Sequence, residues 1–232
     1  MEMRTDKIKR AQLVDVLIAI LVLGSFWGLS EVVLCGAIRA AGLPYRASIL
    51  TGVGIGIMGI AIAIFRKPSM LVGVALMAIL CKQLVVPILH VSVMCKANSC
   101  LAVILEGLAL AGVVSLVGRK LGRSHLAQIA SGVSAALMAA AAFYFIGMRV
   151  SPCRYLLSFN RPGGFVAFLT VEGLVWAAFS GILFPVGYWM GVRLRDTVLS
   201  LGTRKPLLYY TTSMALVVCC WVASAFAIAA TL

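Results

Sequence analysis

The sequence predicts an all-α integral membrane protein, a bundle of about seven transmembrane helices with the amino terminus inside and the carboxyl terminus outside. Three observations carry this. The 232 residues are 62% hydrophobic and only 12% charged, where soluble domains run near ~25% charged. Mean hydropathy is +1.08. Apolar stretches of about 20 residues, the length that crosses a bilayer, follow one another from end to end, so residues 1–232 form a single transmembrane domain with no room for a soluble one.

The spans are expected at 12–36, 46–65, 69–92, 100–117, 126–147, 165–192 and 207–232. The first opens after the basic "MEMRTDKIKR" and runs through "SFWGLSEVVLCGAI" without a convincing small-x-small cleavage site, so it reads as retained rather than as a signal peptide. The second, with "TGVGIGIMGIAIA", and the fifth, with "SGVSAALMAAAA", are thinned by small residues that permit close helix contact in lipid. The third carries "ILCKQLVVPILH", the fourth "VILEGLALAG" and the sixth "LTVEGLVWAAFSG". The separators hold charges and turn residues, as in "RKPS", "GRKLGRSH" and "RLRDTVLSLGTRKP". Pro44, Pro68, Pro162 and Pro206 lie near span starts, where proline costs least.

Orientation follows from basic residues, which cytoplasmic segments retain. Of the 20 Lys and Arg, thirteen fall in the segments that an internal amino terminus places inside, six fall outside, and Lys82 lies within a span. This bias accounts for the net charge of +13, so the basic balance points to the bilayer and not to nucleic acid. The six outer ones, Arg39, Arg46, Lys96, Arg149, Arg154 and Arg161, either steer an anionic or zwitterionic solute inward or meet lipid phosphates.

An ionisable side chain in hydrocarbon costs at least ~2.5 to 3.5 kcal/mol on insertion scales, so each one asks for a reason. Glu172 is the lone charge in the run 165–192. With the topology above, Glu31, Glu106 and Glu172 fall at one level, roughly 8 to 10 Å below the outer boundary at 1.5 Å per residue. Lys82 is somewhat deeper, with Gln83 beside it and His90 nearer the outer rim. Such groups either hydrogen-bond a neighbouring helix for packing alone or line a water-filled pathway or ligand site. Their shared depth favours a cavity open to the outside, lined by Glu31, Lys82, Glu106, Glu172, Gln83 and His90. The carboxylates would bind cationic or hydrogen-bond-donating parts of a ligand, and Lys82 would pair with one of them or take a ligand carboxylate. Glu-Gly-Leu recurs in the fourth and sixth spans, 66 residues apart, which is either an internal repeat or coincidence.

Cys35, Cys81, Cys219 and Cys220 read as small apolar residues within spans. Cys95 and Cys100 lie near the outer face, where an oxidising compartment would permit a bridge; with His90 they match no tight metal-ligand spacing. No metal and no cofactor is expected. Nothing resembles a phosphate-binding glycine loop, HExxH, or a serine-histidine-acid set with a recognisable context, so the chain does not read as an enzyme.

Residues 24–60, "GSFWGLSEVVLCGAIRAAGLPYRASILTGVGIGIMGI", with "KANSCLAVILEGLALAGVVSLV" at 96–117, resemble the substrate-binding S components of energy-coupling-factor transporters. The resemblance covers roughly residues 20 to 118. It implies a compact helical protein of the bacterial plasma membrane. Such a protein would capture a vitamin-like or other micronutrient solute near its outer face and dock through small first-helix residues onto a membrane coupling subunit driven by two ATPases. Gly24 and Gly28 are the nearest match to that docking face, where the family favours alanines; most such components have six spans rather than seven. Two other readings stand beside it: a proton-coupled secondary transporter using an intramembrane Glu, and a structural subunit of a larger membrane complex.

Overall fold

The structure, a computed structural model, describes residues 2–230, with side chains from residue 13 onward apart from Cys95 and Arg119. Seven helices among the described residues are long and apolar enough to cross a membrane, and no strand is present among them. In chain order these are α1 (Glu2–Ala40), α2 (Arg46–Phe65), α3 (Met70–Lys82) continued by α4 (Val85–Leu89), α5 (Ala97–Val117), α6 (His125–Val150), then a short α7 (Arg154–Leu157), α8 (Gly164–Phe168) leading into α9 (Leu174–Arg204), and α10 (Pro206–Ala229).

Two spans depart from the simple reading. The third is broken after Lys82: the Leu84 and Val86 amides bond three residues back, to Cys81 and Gln83, and α4 follows. Pro87 is the cause, since its ring lacks an amide hydrogen for the Gln83 carbonyl and crowds that carbonyl in a regular helix. The sixth span carries a π-helical turn, Leu169–Gly173, between α8 and α9. It also runs on to Arg204, so most of "RLRDTVLSLGTRKP", expected as a separator, is helix until Pro206 starts α10. That segment is rich in Arg and Leu, which favour helix, and has no proline before Pro206.

The helix α2 fills the middle of the bundle, packed on α9, α1, α5 and α3, while α10, α1, α3, α5, α6 and α9 follow one another around it. Its glycines explain the position. A Cβ at Gly59 would stand 2.8 Å from the Phe184 carbonyl oxygen, and one at Gly191 of α9 2.7 Å from that of Ile60, so backbone meets backbone across α2 and α9. In lipid, where apolar burial gives no preference for protein over tails, such close approach is what holds helices together. Trp27, Met58, Leu71, Leu110 and Phe184 fill the core around this crossing.

The outermost helix, α10, is held at two polar points. Trp221 Nε1 donates to Ser25 Oγ of α1 at 3.0 Å, and Cys81 Sγ of α3 donates to Ser224 Oγ at 3.3 Å.

The Gly24/Gly28 face is not a free docking surface. A Cβ at Gly24 would stand 2.7 Å from the Val74 carbonyl oxygen, and one at Gly28 3.0 Å from Cys81 Sγ. Both glycines are buried against α3, and the small-residue stripe serves a contact within the chain.

Candidate functional site

Three of the intramembrane charges meet. Glu31 of α1 and Lys82, the last residue of α3, form an ion pair with Nζ 2.5 Å from Oε2. Lys82 also donates to Ser99 Oγ near the start of α5. The helix break at Gln83 places the ammonium at the carbonyl end of α3, where the helix dipole favours a cation. About two turns further along α5, Glu106 Oε1 accepts from Thr51 Oγ1 of α2 at 2.8 Å. Glu31 and Lys82 are the charged groups within electrostatic reach of Glu106. Relative exposures of 5% for Glu31, 8% for Lys82 and 2% for Glu106 make this a closed, desolvated cluster.

Its accounting is incomplete in one place. Glu106 Oε2 is buried and has no hydrogen-bond partner among the described residues. Two carboxylates thus face one ammonium, and one acceptor is left without a donor. Leaving a buried acceptor unsatisfied costs roughly 1–3 kcal/mol, and more for a charged group.

Gln83, next to Lys82 in the chain, is held away from the cluster, donating from Nε2 to Cys100 Sγ at 3.3 Å and to the Val93 carbonyl at 3.4 Å. Its own Oε1 is buried without a partner among the described residues. Cys100 carries a free thiol; the side chain of Cys95, and with it the expected bridge, lies outside the described residues. His90 caps α4 in a left-handed conformation and is exposed, with no contact to the charged cluster among the described residues.

Glu172 is elsewhere. It sits on the π turn and accepts from Tyr155 Oη at 2.6 Å, half-buried beneath the segment that joins α6 to α8. That segment is pinned by Tyr144, which donates to the Phe159 carbonyl at 3.1 Å, and by ring contacts of Phe159 with Tyr155 and Phe168. The expected open cavity of three carboxylates is therefore corrected to a closed cluster that holds two of them, Glu31 and Glu106. The π turn that precedes α9 presents Glu172 to Tyr155 instead. The Glu-Gly-Leu likeness does not extend to geometry, since Glu106 lies in regular helix and Glu172 in a π turn. Gly107 also leaves no ligand space: a Cβ there would stand 2.7 Å from Ala75 Cβ.

No protein family, curated protein or solved structure matches this chain.

Thr51, Ser99 and Cys100 were not foreseen. The depth argument reaches Thr51, which is five residues into the second span and level with Glu106, but a lone hydroxyl carries no signal until its acceptor is known. Tyr155 is likewise unreadable without Glu172. Its phenol is pushed up by burial and by the Glu172 carboxylate that accepts its proton. Because the folded value is raised above the ordinary 10.0, the stabilisation from this pair is complete below about pH 10 and lost as pH rises further. In carbon-13 spectra of labelled tyrosine, Tyr155 is expected to remain a phenol past pH 10 and to titrate closer to the ordinary range in Glu172→Gln. An unaltered titration in that variant would show that the hydrogen bond does not form in solution.

Proposed function

We propose that this chain is a multi-pass membrane protein that captures a small solute at the Glu106–Glu31–Lys82 cluster for uptake. The observation that carries the reading is the partnerless, buried Oε2 of Glu106 beside an ion pair that is otherwise satisfied. A solute offering an ammonium or another hydrogen-bond donor supplies the missing partner. A solute that also bears a carboxylate exchanges with Glu31 for Lys82. Because all three side chains are buried, entry requires the cluster to open, and the broken helix α3–α4 with its Gln83 tether is the element suited to move. A bacterial plasma membrane, an internal amino terminus, and uptake with a coupling subunit and ATPases belong to the same reading through the S-component resemblance. The contact with such a subunit must then lie away from Gly24 and Gly28.

A second reading is favoured by the imbalance of two carboxylates against one ammonium: Glu106 carries a proton across in a secondary transporter. The two separate by experiment. Native mass spectrometry of the chain purified in mild detergent should find a retained small molecule, lost by about tenfold or more in Glu106→Gln, the equivalent of one lost charged hydrogen bond. Equal retention by folded wild type and variant would remove Glu106 from the site. Accumulation of solute by the isolated chain in liposomes under an imposed proton gradient would establish the second reading instead.

A further inference from the structure

At the far end of α2 from Thr51, about 22 Å away by helix rise over fifteen residues, lies a cavity of about 430 Å³. Its polar lining is Arg66 at the end of α2, Arg123 after the short turn that follows α5, and Tyr188 of α9. Ile62 and Leu121 supply apolar wall, and Gly122 lies at the Tyr188 hydroxyl, which is 3.4 Å from where a Cβ on that glycine would stand.

Two features set this cavity apart from an ordinary basic helix end. Arg66 and Arg123 are both exposed, and neither guanidinium has a carboxylate partner among the described residues, where the ion pair formed is that of Lys82 with Glu31. Tyr188 is only 8% exposed as a residue, but its hydroxyl makes no hydrogen bond among the described residues and is not one of their buried unsatisfied atoms, so it opens into the cavity. Basic residues near helix carboxyl ends also answer the helix dipole, but that accounts for neither the cavity nor the unpartnered phenol. The hydroxyl can therefore donate to a molecule that occupies the cavity.

We propose that this cavity binds a phosphate ester. Guanidinium forks match phosphate oxygens in pairs, the Tyr188 hydroxyl adds a third donor, and the apolar wall receives the carbon portion of the ester. The volume lies within the range of small-molecule sites and exceeds what inorganic phosphate alone fills. The ester reaches the cavity either as an anionic phospholipid headgroup, for which basic pockets between helices at a membrane face are suited, or as a free phosphorylated solute. The site is separate from the Glu106 cluster and stands or falls independently of it.

The test is native mass spectrometry of the full chain in mild detergent with dioleoylphosphatidylglycerol, dioleoylphosphatidylcholine and glycerol 3-phosphate. Wild type should retain the phosphatidylglycerol in preference to the phosphatidylcholine. Retention should fall about tenfold or more in Arg66→Gln/Arg123→Gln, fall by less in Tyr188→Phe, and hold in Arg204→Gln, a basic residue outside the cavity. Displacement of the lipid by glycerol 3-phosphate would assign the site to a free ester, and its failure to displace would assign it to the headgroup. The proposal is overturned by equal retention of the two lipids, by unchanged retention in both cavity variants, or by an equal loss in Arg204→Gln, which would mark unspecific attraction of charge.

Discussion

Lys82→Met is expected to destabilise the fold by about 3–5 kcal/mol, the usual consequence of removing one partner of a buried pair. Without the ammonium, the Glu31 carboxyl group is left stranded at 5% exposure, with no other cation beside it among the described residues, and Ser99 loses its donor. The penalty belongs to the stranded carboxyl group and not to lost packing, because Met keeps most of the stem volume. Glu31→Gln/Lys82→Met should therefore recover most of the loss, since a neutral pair strands nothing. Thermal unfolding of the purified variants in one detergent measures both. If the double variant is as unstable as the single, the pair is not the reason for the instability, and Lys82 matters for its contacts with Ser99 or for the end of α3.

Gly28→Leu is expected to prevent folding altogether, with little monodisperse protein recovered by size-exclusion chromatography. Even the first carbon of the new side chain would stand 3.0 Å from Cys81 Sγ and 3.1 Å from the Ala78 carbonyl oxygen. The second of these is backbone and cannot rotate away, so α1 and α3 must separate. Separation carries the Glu31–Lys82 pair apart as well, because the two charges sit on the same two helices. The S-component resemblance leads to a different expectation, a folded protein that binds solute and fails only to engage its partner. A Gly28→Leu variant with wild-type yield and stability would show that α1 and α3 do not pack this way, and would return Gly24 and Gly28 to the docking role.

Much of the bundle was legible in the residues. Apolar length against bilayer thickness is a strict criterion, because a spanning backbone must satisfy its own hydrogen bonds. The seven membrane-length helices found are the seven expected, with the second bounded at 46 and 65 in both readings. The sixth span runs past its charged separator, because Arg and Leu continue a helix into water readily and a proline is what stops it. That Glu31, Glu106 and Lys82 lie at a similar level along their helices was also readable, since level follows from a constant rise per residue. What a sequence of this kind does not carry is rotation about each helix axis. In water, an apolar stripe marks the buried face; in lipid both faces are apolar, and the marker disappears. The turn of Glu172 toward Tyr155 is thus a product of the whole packing, as is the choice of α3 as the neighbour of Gly24 and Gly28. Class and span number were determined by the sequence itself, through bilayer thickness and helix rise. The pairing of Glu31 with Lys82, of Glu106 with Thr51 and of Glu172 with Tyr155 was decided only by tertiary structure, because each depends on which faces of separate helices close packing brings together.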